Sequence, residues 1–304
     1  MRINKQIVKN IALRYYKRSI ETYYYLKSRI KKSRYKVLSE KELRATKTSD
    51  TIVIFGCGYS LNYISDEEWD ILSKFNTIGT NWFVNENFIR LDYQILSEVI
   101  GRAEANDRRA VKKKFAKWRS EIIKKHKANT IIIKIDQPDL ALWANRMIAD
   151  HVYPVGRKLF KYQEIRTKKN AFYPPSDHPN ILIQGPSSLS VSLNFAYAMN
   201  WKNIIFAGVD LYDRRYFWLS YNQRRDIDFA ADLPLNHKHT TAPKIVPFIK
   251  KWLPYFEDKG VNLFTCNPKS LLTEIMPTIN IKDLKYKLSS LKLSTFIRDM
   301  TYDK

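Results

Sequence analysis

The sequence predicts an α/β protein organised around a mostly parallel sheet, and three observations carry that prediction. Short runs of β-branched and aromatic residues recur at 51–55, 76–80, 91–96, 129–135, 180–184, 203–209 and 261–265, most of them ending at a polar or small residue. Helical start signals fall between several of them. The first run passes straight into Gly56-Cys57-Gly58-Tyr59-Ser60-Leu61. Strand, glycine turn and helix in that order is the form in which nucleotide binders hold a ligand at the carboxyl end of a parallel strand; the other reading of the turn is a tight connection without a ligand.

Composition narrows the class. At 304 residues and 44% hydrophobic, the chain suffices for one large α/β domain with attachments, or for two domains. Two cysteines, Cys57 and Cys266, lie far apart and without partners at metal-ligand spacing, the usage of a reducing compartment. No apolar run approaches the length of a membrane span, and Lys5, Lys9, Arg14, Lys17 and Arg18 interrupt any signal-peptide core. A cytoplasmic protein is expected.

The net charge of +23 is segmental. Residues 1–50 hold 15 Lys/Arg against 4 Asp/Glu, and residues 101–130 hold 11 against 3. In the opening segment Ile3, Ile7 and Ile11 form one helical stripe, with Tyr15, Tyr16, Tyr23, Tyr24 and Tyr25 available for a lipid headgroup boundary. That favours a helix on an anionic membrane surface over a solvated or oligomerising helix. Nucleic acid is not expected, because no binding-module signature accompanies the charge. Residues 33–50 read as a polar connector.

Along the chain, Ser65-Asp66-Glu67-Glu68 is a capping box that starts a helix to about Lys74. The strand 76–80 ends at Asn81, and the run 91–96 ends at Ser97 and Glu98. Residues 101–127 predict a long basic helix and 138–149 another. Between 155 and 178 the pattern fails, and an irregular connection is expected. Strand 180–184, the turn Gly185-Pro186-Ser187-Ser188, a helix at 190–200 and strand 203–209 read as one βαβ unit ending at Asp210. Ser187 and Ser188 either cap the helix or bind an anion. A polar, Arg-rich loop at 213–228 suits a lid, and His237 and His239 follow it. Residues 270–275 predict a short helix. From Asn280 onward, Leu284, Leu288 and Leu291 form a basic amphipathic stripe that packs on the domain, pairs with a second subunit, or joins the N-terminal helix at a membrane.

In order, VIFGCGYSL, TNWF, GPSSLSVSLNFAYAMNWKNIIFAGVDLY, HKHTTAPKIVPFIKKW and VNLFTCNPKSLL resemble the bacterial sialyltransferases of glycosyltransferase family 42 and wider relatives of the motility-accessory-factor type. The resemblance covers roughly residues 51–277 and is weakest over 98–179. It implies a single Rossmann-like, GT-A-variant nucleotide-binding domain at 51–279 with a lid at about 213–240; the charge and apolar stripes outside it predict basic helical extensions at 1–50 and 280–304. It implies metal-independent, inverting transfer of an acidic sugar from a CMP-activated donor to a saccharide acceptor of a surface glycan. Motif by motif, it puts Gly56, Cys57, Gly58, Ser60, Asn81 and Ser188 at the nucleotide; Ser97, Ser187 and Asp210, polar residues at strand ends and at the helix turn, complete the candidate set. Tyr212 and Tyr216 would hydrogen-bond the leaving phosphate, and His237 or His239 would be the general base.

Three positions depart from the family. Cys57 and Ser97 stand where asparagines are usual, and Gly185 lies near an arginine's place. A related ulosonic acid such as Kdo or pseudaminic acid therefore fits the donor as well as sialic acid does. The chemistry stands on its own terms: inverting transfer needs a base for the acceptor hydroxyl and donors for the departing phosphate. A dinucleotide oxidoreductase would want glycine at Leu61 and an acid near Asn81. The alternatives are a metal-dependent UDP- or GDP-sugar transferase using Asp226 and Asp228, and a basic membrane-surface or nucleic-acid adaptor on an inactive nucleotide-binding fold.

Overall fold

The computed structural model describes residues 36–80, 83, 89–96, 130–135, 158–167, 172–212, 216–217 and 242–284. The expected N-terminal helix, the helices at 101–127 and 138–149, the lid core with Asp226 and Asp228, and the chain from 285 onward lie outside them.

Among the described residues the strands are β1 (Lys36–Val37), β2 (Thr51–Phe55), β3 (Asn76–Thr80), β4 (Tyr93–Leu96), β5 (Ile131–Ile135), β6 (Lys158–Arg166), β7 (Ile181–Gln184), β8 (Asn203–Ala207) and β9 (Asn262–Thr265). Eight run in the order β1-β6-β5-β4-β3-β2-β8-β9, and β7 pairs with the second half of β6 as a small second sheet. Every pairing between these strands is parallel. A central parallel strand is buried on both faces, which is why β2 reads Thr-Ile-Val-Ile-Phe without a break and is buried throughout.

Alternation along β2 builds the layers. Ile52 and Ile54 face a cluster that includes α1 (Glu40–Arg44), α3 (Ser188–Ala198) and α4 (Ala242–Asp258). Val53 and Phe55 face α2 (Asp66–Leu72) and the 3-10 turn Ile281–Asp283. The result is a three-layer sandwich. Helix α3 is buried almost all round, so its polar residues are satisfied internally. Asn194 Oδ1 accepts from Ile183 N at 2.7 Å, and Asn194 Nδ2 donates to Ser176 O at 2.8 Å.

Several expectations are corrected. The irregular stretch contains the nine-residue β6, whose charged residues at 158, 161, 164 and 166 hid the buried Leu159, Phe160 and Tyr162. In the described part of the polar connector a Ser39/Glu42 capping box starts α1, Leu43 is fully buried, and Arg44 Nη1 donates to Ala198 O at 2.8 Å. Leu38 and Leu43 join the cluster on one face of the sheet, and Ile281 and Leu284, in keeping with one of the readings of the tail, join that on the other. β7 and β8 are not neighbours, because β8 is already held between β2 and β9. The short helix at 270–275 is a 3-10 turn, Leu271–Glu274.

Candidate functional site

The loops after β2, β8 and β9 gather at one edge, the carboxyl ends of parallel strands. The β2 loop runs along the β8 loop: Gly56 N donates to Ala207 O at 2.8 Å and Gly58 N to Gly208 O at 2.7 Å. A side chain at Gly56 would overlap the Gly208 carbonyl oxygen, and a Cβ at Gly58 would lie 2.5 Å from Asp210 Oδ2. The glycines are there for loop-to-loop contact. Their amides are spent inside the protein.

Asp210, 3% exposed, is the centre of that contact. Its Oδ2 accepts from Ser60 N at 2.9 Å, while Oδ1 accepts from Ser60 Oγ and from Asn267 Nδ2, the latter at 2.8 Å. Both carboxylate oxygens are therefore occupied by the protein itself. The next residue, Leu211, has φ 64. That conformation costs a non-glycine residue about 1–2 kcal/mol and marks constrained segments. Tyr212 follows, 45% exposed.

Two described residues, Tyr216 and Phe217, touch the glycine loop. Gly58 and Tyr216 form an antiparallel bridge, Phe217 N donates to Cys57 O at 3.3 Å, and Asn62 Nδ2 donates to Phe217 O at 3.2 Å. The Phe217 ring packs edge-on against Phe83, which stacks on Phe55 of β2. Burial raises the Tyr216 hydroxyl well above its ordinary value, and the neighbouring Cys57 adds to the rise. Tyr216 consequently keeps its proton across the neutral range, as a hydrogen-bond donor must. The Cys57 thiol is pushed up to about 12 by burial, partly offset by the Phe83 backbone amide.

Thr80, the last residue of β3, connects this loop to α3. Its carbonyl oxygen accepts the Cys57 thiol at 3.7 Å, and its hydroxyl shares a 2.8 Å hydrogen bond with Ser192 Oγ. Ser192 lies about one turn, roughly 6 Å, beyond the helix start. Ser187 occupies the N-cap position, but its side chain makes no capping bond; Ser190 Oγ accepts from Gly185 N at 2.8 Å and donates to Ser187 O at 2.5 Å. Side-chain capping, one of the two readings of Ser187, is therefore not what is observed. Ser187 and Ser188 stand at the start of an eleven-residue helix, whose end carries partial positive charge.

The structure thus assembles Gly56, Cys57, Gly58, Ser60, Asp210 and Tyr216, with Tyr212 two residues past Asp210 and the Ser187-Ser188 turn reached through Thr80. Asn81, Ser97, His237 and His239 lie outside the described residues. Sequence reasoning missed Asn267. The signal for it was an Asn-Pro turn directly after a strand, in Thr-Cys-Asn-Pro-Lys-Ser. Among the described residues no group of three or more His, Cys, Asp or Glu could hold a metal ion, and no helix is long and apolar enough to cross a membrane.

No family model matches the sequence, and no curated protein matches it. Among solved structures, the monofunctional alpha-2,3-sialyltransferase Cst-I from Campylobacter jejuni is similar to this chain. It is 15% identical, with 84% of this chain and 95% of that chain covered and a TM-score of 0.43.

Proposed function

We propose that this protein is a metal-independent, inverting glycosyltransferase that moves an acidic sugar, sialic acid or a related ulosonic acid, from a CMP-activated donor to a saccharide of a surface glycan. The observation that carries the reading is the meeting of three elements at the carboxyl ends of β2, β3 and β8. These are the glycine loop bridged to Tyr216, the Asp210-Leu211-Tyr212 turn, and α3, whose Ser192 bonds Thr80 about one turn inside the Ser187-Ser188 start. Each suits one part of a departing nucleotide phosphate. The helix start favours its negative charge, and tyrosine hydroxyls can donate to it. The ordered motifs of the sequence support the same class.

In the transfer, the acceptor hydroxyl oxygen bonds to the anomeric carbon as the bond from that carbon to the phosphate oxygen breaks, and CMP leaves. The hydroxyl proton passes to His237 or His239. Tyr212 and Tyr216 steady the phosphate, and Cys57, Asn81, Ser97, Ser187 and Ser188 line the nucleotide. Asp210 and Ser60 hold the loops that present these groups. The basic N- and C-terminal segments hold the enzyme at the cytoplasmic face of an anionic membrane.

Calorimetric titration with CMP, UDP and GDP, in EDTA and again with magnesium, tests the reading. CMP is expected to bind equally with and without EDTA, and at 100 times its dissociation constant to stabilise the fold by about 2.7 kcal/mol. Binding of UDP or GDP alone, and only with magnesium, overturns it in favour of Asp226 and Asp228. Alanine at both His237 and His239 should lower turnover of CMP-N-acetylneuraminate by roughly 100-fold or more while CMP affinity is retained; a full rate in that variant removes both from the role of base.

A further inference from the structure

The turn after β9 makes three hydrogen bonds to the two residues that precede Leu211 and Tyr212. Ser270 Oγ donates to Val209 O at 2.5 Å, Asn267 Nδ2 to Asp210 Oδ1 at 2.8 Å, and Leu271 N to Asp210 O at 3.3 Å. The orientation of the Asn267 amide is fixed, because its Oδ1 accepts from Lys269 N at 3.0 Å. That leaves Nδ2 to face the carboxylate. Asparagine provides both functions at once; aspartate would set a second negative charge against Asp210, and alanine would provide neither.

The position of this clamp matters more than its strength. Asp210 grips Ser60 of the glycine loop with the same carboxylate, and Gly58 two residues earlier is bridged to Tyr216. Directly after Asp210 the chain turns through Leu211 at φ 64. A left-handed leucine persists where its neighbours over-determine it, and here residues 209 and 210 are tied through side chain and backbone. We infer that Asn267, acting through Asp210, is a positioning residue for the transfer: it fixes Tyr212 and the Gly58-Tyr216 bridge relative to each other, where the phosphate departs. The inference rests on the transferase reading above.

The test uses the full chain and follows CMP release from CMP-N-acetylneuraminate with water as the acceptor. The water oxygen bonds to the anomeric carbon, the bond to the phosphate oxygen breaks, and the base takes the proton. Asn267→Ala and Asn267→Asp should lower kcat on the order of 10- to 100-fold while CMP affinity, measured by calorimetry, stays near wild type. The loss in Asn267→Asp should shrink as pH falls, because facing carboxylates then share a proton; the loss in Asn267→Ala should not. In a Tyr212→Phe background Asn267→Ala should cost much less than it does alone.

An unchanged kcat, or a loss fully additive with Tyr212→Phe, overturns the inference while the functional reading stands. Failure of the wild-type protein to bind CMP or to release it from the donor overturns that reading, and the inference with it. If Asn267→Asp does not fold, Asn267→Ala and Ser60→Ala carry the same comparison.

Discussion

Cys57 and Cys266 show how position alone sets reactivity. Both thiols are pushed up to about 12, chiefly by burial, with Glu68 adding to the rise at Cys266. The thiolate is the reactive form. At pH 8 both should label far more slowly in the native protein than after unfolding, as followed with an aromatic disulfide reagent. Rapid native labelling of Cys57 would show the glycine loop standing open. The same shift has a stability consequence with a definite sign. A thiol harder to ionise in the folded state contributes stability that is complete below pH 9, where the unfolded thiol is protonated, and lost as pH rises towards 12. At pH 10 the loss is at most about 1.4 kcal/mol per thiol, so the urea midpoint should be lower at pH 10 than at pH 8.

Helix α4 supports the start of α3 from the side. The Phe248 ring lies against Gly185, where an added Cβ would come within 2.5 Å of it. Gly185→Ala should therefore destabilise by about 1–3 kcal/mol through overpacking, and by clearly less in a Phe248→Ala background. Equal costs in the two backgrounds, read from urea unfolding, would show that the ring is not what excludes a side chain.

Elements buried on both faces were legible in the sequence: β3 falls at Asn76–Thr80 as expected, and β2 declares itself by an unbroken apolar run. β6 was not, because its identity depends on partners distant in sequence and its charged residues mask the alternation. The site was legible as residue types and not as bonds. Ser60 and Asp210 were both singled out, but their pairing spans 150 positions, and the Asn267 contact spans 57. Nothing local in Asn-Pro-Lys announces that its asparagine will meet a carboxylate on another loop.

At the scale of the whole molecule, the formal charge of +23 sits largely in the segments 1–50 and 101–130. Each basic residue close to an anionic surface is worth about 1 kcal/mol at moderate salt. The full chain should sediment with vesicles rich in phosphatidylglycerol and not with phosphatidylcholine alone. Raising the salt to about 0.5 M should release it, as the screening length contracts to a few ångströms. Absence of sedimentation at low salt would remove the membrane from the proposal.

The split allegiance of β6 has a consequence for how the molecule could change over time. Its first half is registered against β5, with Ile132 opposite Leu159, and its second half against β7, with Arg166 opposite Gln184. The strand therefore works as a ruler between the main sheet and the turn that opens α3. One residue inserted after Tyr162 would leave the β5 pairing intact, advance β7 by about 3.3 Å and turn its side chains over. Ser187 and Ser188 would lose their distance from Thr80 although neither had been altered. Lengthening or shortening this strand is thus a coarse adjustment of the site, and substitutions in the loops are the fine one.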